Sequence, residues 1–567
     1  MDRRAFLLGS AAAVAASAAP AAWAMSPMVP PVPDLVIHGG RIYTGDDASP
    51  VVDAVCILDG RIAWTGPGAG VEALLRSGVP GLDLKGAAMF PGFTDAHAHL
   101  LGIGQRELTL NLEGSASLEA MLASLSAWAA SHPDDAVLVG RGWIETHWPE
   151  KRFPTRQDLD RGVPGRPVIL SRADGHAVVV NSAALAAAGI TRATAAPSGG
   201  EILKDAAGEP TGMLVDAAEG LIGRLIPAES EAEVNRALDA AFKVYAAYGW
   251  TGLHNMSVGA AERGALEGRV GGGRVPLRVY NCLTPQAGSK LLAEGARASA
   301  DGRLITRTIK HYADGALGSR GAALFEPYAD RPDTSGLMQS TAAEMIPLYE
   351  DALRKGIQIV THAIGDRGNA EVLDWYETAL KAVPASARKV ADPRFRIEHA
   401  QVLRLSDIPR FKALGVIPSM QASHAIGDLY FAPARLGDAR LDGAYAWRRL
   451  VEAGAIIAGG TDAPVERGDP LIEFYAAVER RSLDGFRGPD WRADQAVDRA
   501  TALKMFTAWP AYASFREHEL GLIKPGYRAD FSVFSVDLMT APAADIPKAH
   551  ALLTMVGGQV VYRKDGW

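Results

Sequence analysis

The sequence predicts an α/β protein: a (β/α)8 TIM-like barrel, a flanking β-sandwich formed from both chain ends, and an α+β insertion after the first barrel strand. Three observations predict this. Eight short apolar runs between residues 87 and 465 are each followed by a helical stretch, as parallel βα units require. Small β-rich segments with Gly turns sit at both ends of the chain. The interval between the first and second runs, residues 101–245, is far too long for a single crossover.

Residues 1–24, MDRRAFLLGSAAAVAASAAPAAWA, read as an export signal with a basic start, an Ala-rich stretch and a small-residue end at Ala22-Trp23-Ala24. Arg3-Arg4 ahead of Phe6-Leu7 matches a twin-arginine signal, so the expected location is outside the cytoplasm of a bacterium, in the periplasm. Residues 25–33 are a Pro-rich linker. Residues 34–90 hold short strands at Leu35–His38, Arg41–Thr44, Ala54–Leu58 and Arg61–Thr65, and residues 519–567 look alike. Either end alone is too small to bury a core, so the two are expected to pair. The barrel occupies 91–518, with 101–245 inserted; the insertion carries its own strand signals, "AVLVGRGW" and "RPVILSRADGHAVVVNSAAL".

Net charge is −7 with 22% charged residues, which excludes a basic surface for nucleic acid or anionic membrane. The expected partner is a small molecule. No segment after the signal is long and apolar enough for a membrane anchor. The oligomeric state stays open, a homo-oligomer included. Two cysteines, Cys56 and Cys282, make no disulfide framework and are expected to be buried.

Chemistry concentrates at the ends of the runs. His97 and His99 in "PGFTDAHAHL" are i and i+2 on a strand and share a face. His362 ends the fifth run, His399 the sixth and Asp462 the eighth; Lys310 ends the fourth. Titratable groups are costly in a barrel interior unless paired or metal-bound. Strand C-termini are where barrel chemistry sits. These six residues are therefore the candidate metal set, for one or two Zn2+ ions.

With that order along the chain, the sequence resembles the amidohydrolase superfamily. "SRADGHAVVVNSAAL", "IKHYADGALGSRGAAL", "HAIGDRGN", "RIEHAQ", "GGTDAPV" and "GLIKPGYRADFSVF" resemble its YtcJ-like branch, which includes N-substituted formamide deformylase. The resemblance spans roughly residues 34 to 562 and implies the barrel, the sandwich and the metal ligands. Two positions depart from the branch: Ala422 stands where Pro is frequent and Ala463 where Trp is frequent. The resemblance therefore carries over the ligands and not the substrate.

The expected activity is metal-dependent hydrolysis of a non-peptide C–N bond, an amide, N-acyl or N-formyl group, by a metal-activated hydroxide, with Asp462 as proton shuttle. The alternatives are ester hydrolysis, decarboxylation or isomerisation in the same pocket, and an exported binding protein with an idle metal site. Lys310, an ammonium with no lone pair, becomes a ligand once carboxylated by CO2. It would then bridge one ion held with His97, His99 and Asp462 and another held with His362 and His399. Softer substrate-binding candidates are His176 in the insertion, His254 on the second strand, Arg320 after the fourth and His424 after the seventh. Asp314 and Asp366 read as loop caps.

Overall fold

The computed structural model describes residues 32–226, 229–488 and 491–567. The export signal and most of the linker lie outside the described residues. No helix among the described residues is long and apolar enough to cross a membrane.

Eight parallel strands form the centre: β1 (Phe93–Ala98), β2 (Trp250–Val258), β3 (Arg278–Leu283), β4 (Leu304–Tyr312), β5 (Gln358–Ala363), β6 (Arg396–His399), β7 (Ile417–Gln421) and β8 (Ala458–Gly460). Each hydrogen-bonds to the next in chain order. All seven pairings are parallel. The ends meet just past β8, where Asp462 N donates to His97 O at 2.6 Å and His99 N to Ala463 O at 2.8 Å. The result is a mixed α/β fold around a nearly closed parallel barrel.

Two glycines let neighbouring strands approach closely. A Cβ on Gly460 would lie 2.4 Å from the His97 nitrogen, so the second Gly of "GGTD" lets β8 approach β1. A Cβ on Gly92 would strike Thr251 Oγ1 at 2.3 Å, which explains the Gly of "PGF" where the chain enters β1. Asp95 then staples the seam. It accepts from Thr461 N at 2.9 Å and Thr461 Oγ1 at 2.7 Å, and Tyr245 donates to it at 3.0 Å.

Strands from both chain ends share one sheet. Phe531–Phe534 pairs antiparallel with Ala88–Pro91, which leads directly into β1. A second sheet, built from Leu35–His38 and its neighbours, shares a core with it through Ile37, Ile57, Met89, Phe531 and Leu553. Between β1 and β2 lies a separate six-stranded sheet. It carries its own apolar core around Trp143, Trp148, Leu125 and Leu170. Cys56 and Cys282 are buried and free.

Candidate active site

The strand ends converge on a cavity of about 610 Å³ at the barrel mouth, lined by His97, His99, Lys310, His362, His399 and Asp462. Asp462 Oδ1 lies 3.3 Å from His97 Nε2 and 3.2 Å from His99 Nε2. Lys310 Nζ is 3.4 Å from His97 Nε2. The His399 ring stands 4.9 Å from that of His97 and 4.6 Å from that of His362. His362 Nε2 is 3.3 Å from the Gly315 carbonyl.

Backbone geometry delivers two of these groups. His399 has φ 73° and Asp462 φ 58°, left-handed values that non-glycine residues seldom adopt outside strained or functional positions. Strand alternation alone would turn His399 away from Glu398's face. The φ reversal swings His399 into the mouth, while Arg396 and Glu398 stay inside the barrel beneath it.

That lower layer is an ion cluster excluded from water. Glu398 and Arg396 are both 0% exposed. Glu398 accepts from His97 Nδ1 at 2.6 Å and from Arg396 Nη2 at 2.9 Å. A carboxylate on Nδ1 fixes the tautomer and leaves Nε2 with its lone pair facing the cavity. Gln421 Oε1 does the same for His399 Nδ1 at 2.8 Å. Burial works to raise the Glu398 carboxyl, but Arg396 and His97 outweigh it and keep it ionised.

The donor set suits a divalent metal. The donor atoms of His97, His399 and Asp462 lie within 4.8 Å of one another, the one such group of His, Cys, Asp or Glu among the described residues. Ligand atoms around one tetrahedral Zn2+ are spaced roughly 3.3 Å apart, given bonds of about 2.0–2.1 Å. The His97–Asp462 and His99–Asp462 separations match that spacing. Burial holds His99, His362 and His399 below the usual imidazole value, with His362 and His399 well below it, so these rings offer lone pairs rather than charge. Burial works to raise the Asp462 carboxyl, but His97 and His99 outweigh it and hold it well below the usual range.

The softer candidates divide. His176 and His424 line the cavity. His176 Nδ1 bonds Asp216 at 2.8 Å, and its ring is 5.7 Å from that of His362. His424 Nε2 is buried with no hydrogen-bond partner, 3.7 Å from Asp462 Oδ2. His254 and Arg320 do not line the cavity, which corrects the expectation for both. His254 sits one pleat deeper than Met256, which does line it, and accepts from Arg396 Nη1 at 2.7 Å. Arg320 is held by Asp330, at 2.8 Å from Nη2. Asp314 caps a loop by accepting from the backbone of Ala323, Ile364 and Gly365.

Sequence reasoning missed Glu398, Arg396 and Arg141. The Glu398 signal was present in "RIEHAQ", but regular alternation put it on the wrong face. One departure from the branch has a structural counterpart: the Ala422 N–H donates to buried Glu473 at 2.9 Å, a bond that proline cannot make.

Three comparisons relate the chain to known proteins. The amidohydrolase family profile matches residues 81–562. The YtcJ protein of Bacillus subtilis (strain 168) is 36% identical over 535 residues, spanning 93% of this chain and 99% of that protein. N-substituted formamide deformylase of Arthrobacter pascens is 26% identical over 563 residues, spanning 94% and 99%. Among solved structures, an uncharacterized metal-dependent hydrolase from Pyrococcus horikoshii OT3 superposes with a TM-score of 0.73 at 26% identity, covering 90% of this chain and 99% of that one. With this barrel, these donors at its mouth and these likenesses along its length, the chain is a metal-dependent hydrolase and belongs to the amidohydrolase family.

Proposed function

We propose that the protein hydrolyses a non-peptide C–N bond of a small molecule, an amide, N-acyl or N-formyl group, with Zn2+ held by His97, His99, His399 and Asp462. The observation that carries this is the donor set itself: two buried imidazoles, a half-buried third and a carboxylate facing one cavity, the two buried imidazoles fixed by acceptors behind them. The name of the Arthrobacter pascens relative, a deformylase of N-substituted formamides, supports the C–N choice.

A bound divalent ion would lower the pKa of its water to about 7 and polarise a carbonyl. The chain's residues do the rest. Asp462 takes the water proton and passes it to the leaving nitrogen as the C–N bond breaks. Its carboxyl lies well below the usual range and so is ionised, as a proton acceptor must be. Glu398 and Gln421 keep the imidazoles aimed. His176 and His424 contact the substrate from the wall. Lys310, once carboxylated on Nζ, would join His362 in holding a second ion; its burial next to His97 supports this.

The Arg3-Arg4 signal supports export to the periplasm; Arg3→Lys with Arg4→Lys should strand precursor in the cytoplasm, and unchanged export would exclude that route. The activity is tested by assaying N-formyl, N-acetyl and ester substrates with metal content measured on the same preparation. Amide turnover that is lost with chelation and restored by zinc is the expected result. Turnover of esters alone, or of amides without metal, would contradict it.

A further inference from the structure

The cavity wall contributed by the insertion carries a charge that the proposed hydrolysis does not use. Strand Leu138–Trp143 sends Leu138 and Trp143 into the insertion's apolar core. These residues are an odd number of positions apart and would lie on opposite faces of a regular strand. A register shift between Arg141 and Trp143, at Gly142 with φ 100°, brings both inward. A Cβ on Gly142 would sit 2.9 Å from the Glu113 nitrogen, so only glycine fits there. The bulge leaves Arg141 facing the other way, on the same cavity as His97, His99 and Asp462.

Arg141 is poorly satisfied. Its Nη2 donates to the Ala173 carbonyl at 3.3 Å, and its Nε is buried without a partner. Among the described residues no carboxylate forms an ion pair with it, whereas the other cations on this wall are engaged. Arg172 donates to Glu145 at 2.9 Å and also pairs with Asp174. Arg467 pairs with Glu113 at 3.0 Å, and His176 with Asp216 at 2.8 Å. Burial pushes the Arg141 guanidinium down to about 10, so the charge persists at neutral pH. A half-buried guanidinium with no carboxylate in ion-pair contact is costly. Its planar fork matches a carboxylate with two parallel hydrogen bonds.

We propose that Arg141 receives a carboxylate carried by the substrate, making the physiological substrates amides with an acidic substituent rather than neutral amides. This rests on the C–N reading above and names its substrate class. A monoanion fits better than a phosphate dianion. The cavity offers one free guanidinium, and Glu262 and Asp428, each raised by burial to about 7, add negative charge as they lose protons.

The test uses non-cleavable probes: N-methanesulfonyl ω-amino acids of increasing chain length, each paired with its carboxamide, titrated calorimetrically into zinc-loaded protein. The best acid should bind about 10- to 100-fold tighter than its carboxamide, the range of a charge-assisted hydrogen bond. Arg141→Gln should bring that ratio near one, and Arg141→Lys should restore part of it; thermal melts verify that both variants fold. No preference in the unmodified protein, or a preference undiminished in Arg141→Gln because the metal takes the carboxylate, would overturn the assignment. N-formyl counterparts assayed in parallel separate the two claims. Hydrolysis indifferent to the carboxylate overturns Arg141 and leaves the C–N reading. Arg141-dependent binding with no hydrolysis of any amide does the reverse.

Discussion

Two histidines face each other across the mouth, one from the barrel and one from the insertion, and they are in opposite states. The His362 and His176 rings are 5.7 Å apart. Burial disfavours charge on both. For His362, Lys310 and His176 add to that effect, and the ring is held well below the usual value. For His176, a hydrogen bond to Asp216, together with Asp174 and Glu219, outweighs burial and lifts it to about 9. The barrel side is thus built from neutral imidazoles that give lone pairs, as a metal site needs. The insertion side presents cations, of which His176 and Arg172 are held by carboxylates and Arg141 is not. His362 is the deeper ring, and the carboxylates around His176 are what hold its charge.

The contrast predicts that barrel substitutions abolish chemistry or metal, and that insertion substitutions tune binding. The largest expected effect is at Asp462. Asp462→Asn keeps the shape and removes the base, so kcat should fall by ~10²-fold or more, with an unchanged circular dichroism spectrum. Near-normal turnover would assign the proton transfer to another group. Next comes Lys310→Ala, which should release at least one metal per chain. Short carboxylic acids should restore part of the activity by filling the gap. A variant with undiminished metal and turnover would remove Lys310 from the site.

Glu398→Gln tests the layer beneath. Loss of the carboxylate on His97 Nδ1 should weaken zinc affinity by about 10- to 100-fold, measured by competition with a chelator. Unaltered affinity would make Glu398 a structural partner of Arg396 only. The smallest effect is expected in the insertion. His176→Gln should change KM or substrate preference and leave metal content alone. In metal-stripped protein, the folded His176 value of about 9 exceeds the reference 6.5, so its stabilising contribution is full below about 6.5 and disappears as pH rises through 9. The variant's melting temperature should therefore lack the decline over that window that the unmodified protein shows. Parallel profiles would mean that Asp216 and Asp174 do not hold a charged His176.

Much of this was legible in the sequence because strand periodicity is local. His97 and His99 share a face by spacing alone, and the other donors stand where apolar runs end. The length of the interval after residue 100 revealed the insertion without any contact being known. What failed was depth and reversal. His254 has the same alternation as the cavity-lining Met256 but lies two residues lower, roughly 6.6 Å along the strand, where Arg396 meets it. Glu398 was hidden because His399 has a positive φ, which a strand pattern does not announce. Arg141 was hidden by the bulge at Gly142. Arg320 sits in a loop whose partner, Asp330, is set by tertiary structure.

The division between a metal-binding barrel and a charged insertion is tested most directly by anomalous diffraction at the zinc edge on crystals grown with zinc. The account predicts a peak within coordination distance of His97 Nε2, His99 Nε2, His399 and Asp462, and none on His176. A peak ligated by His176, or an active protein with no peak at the barrel mouth, would contradict it.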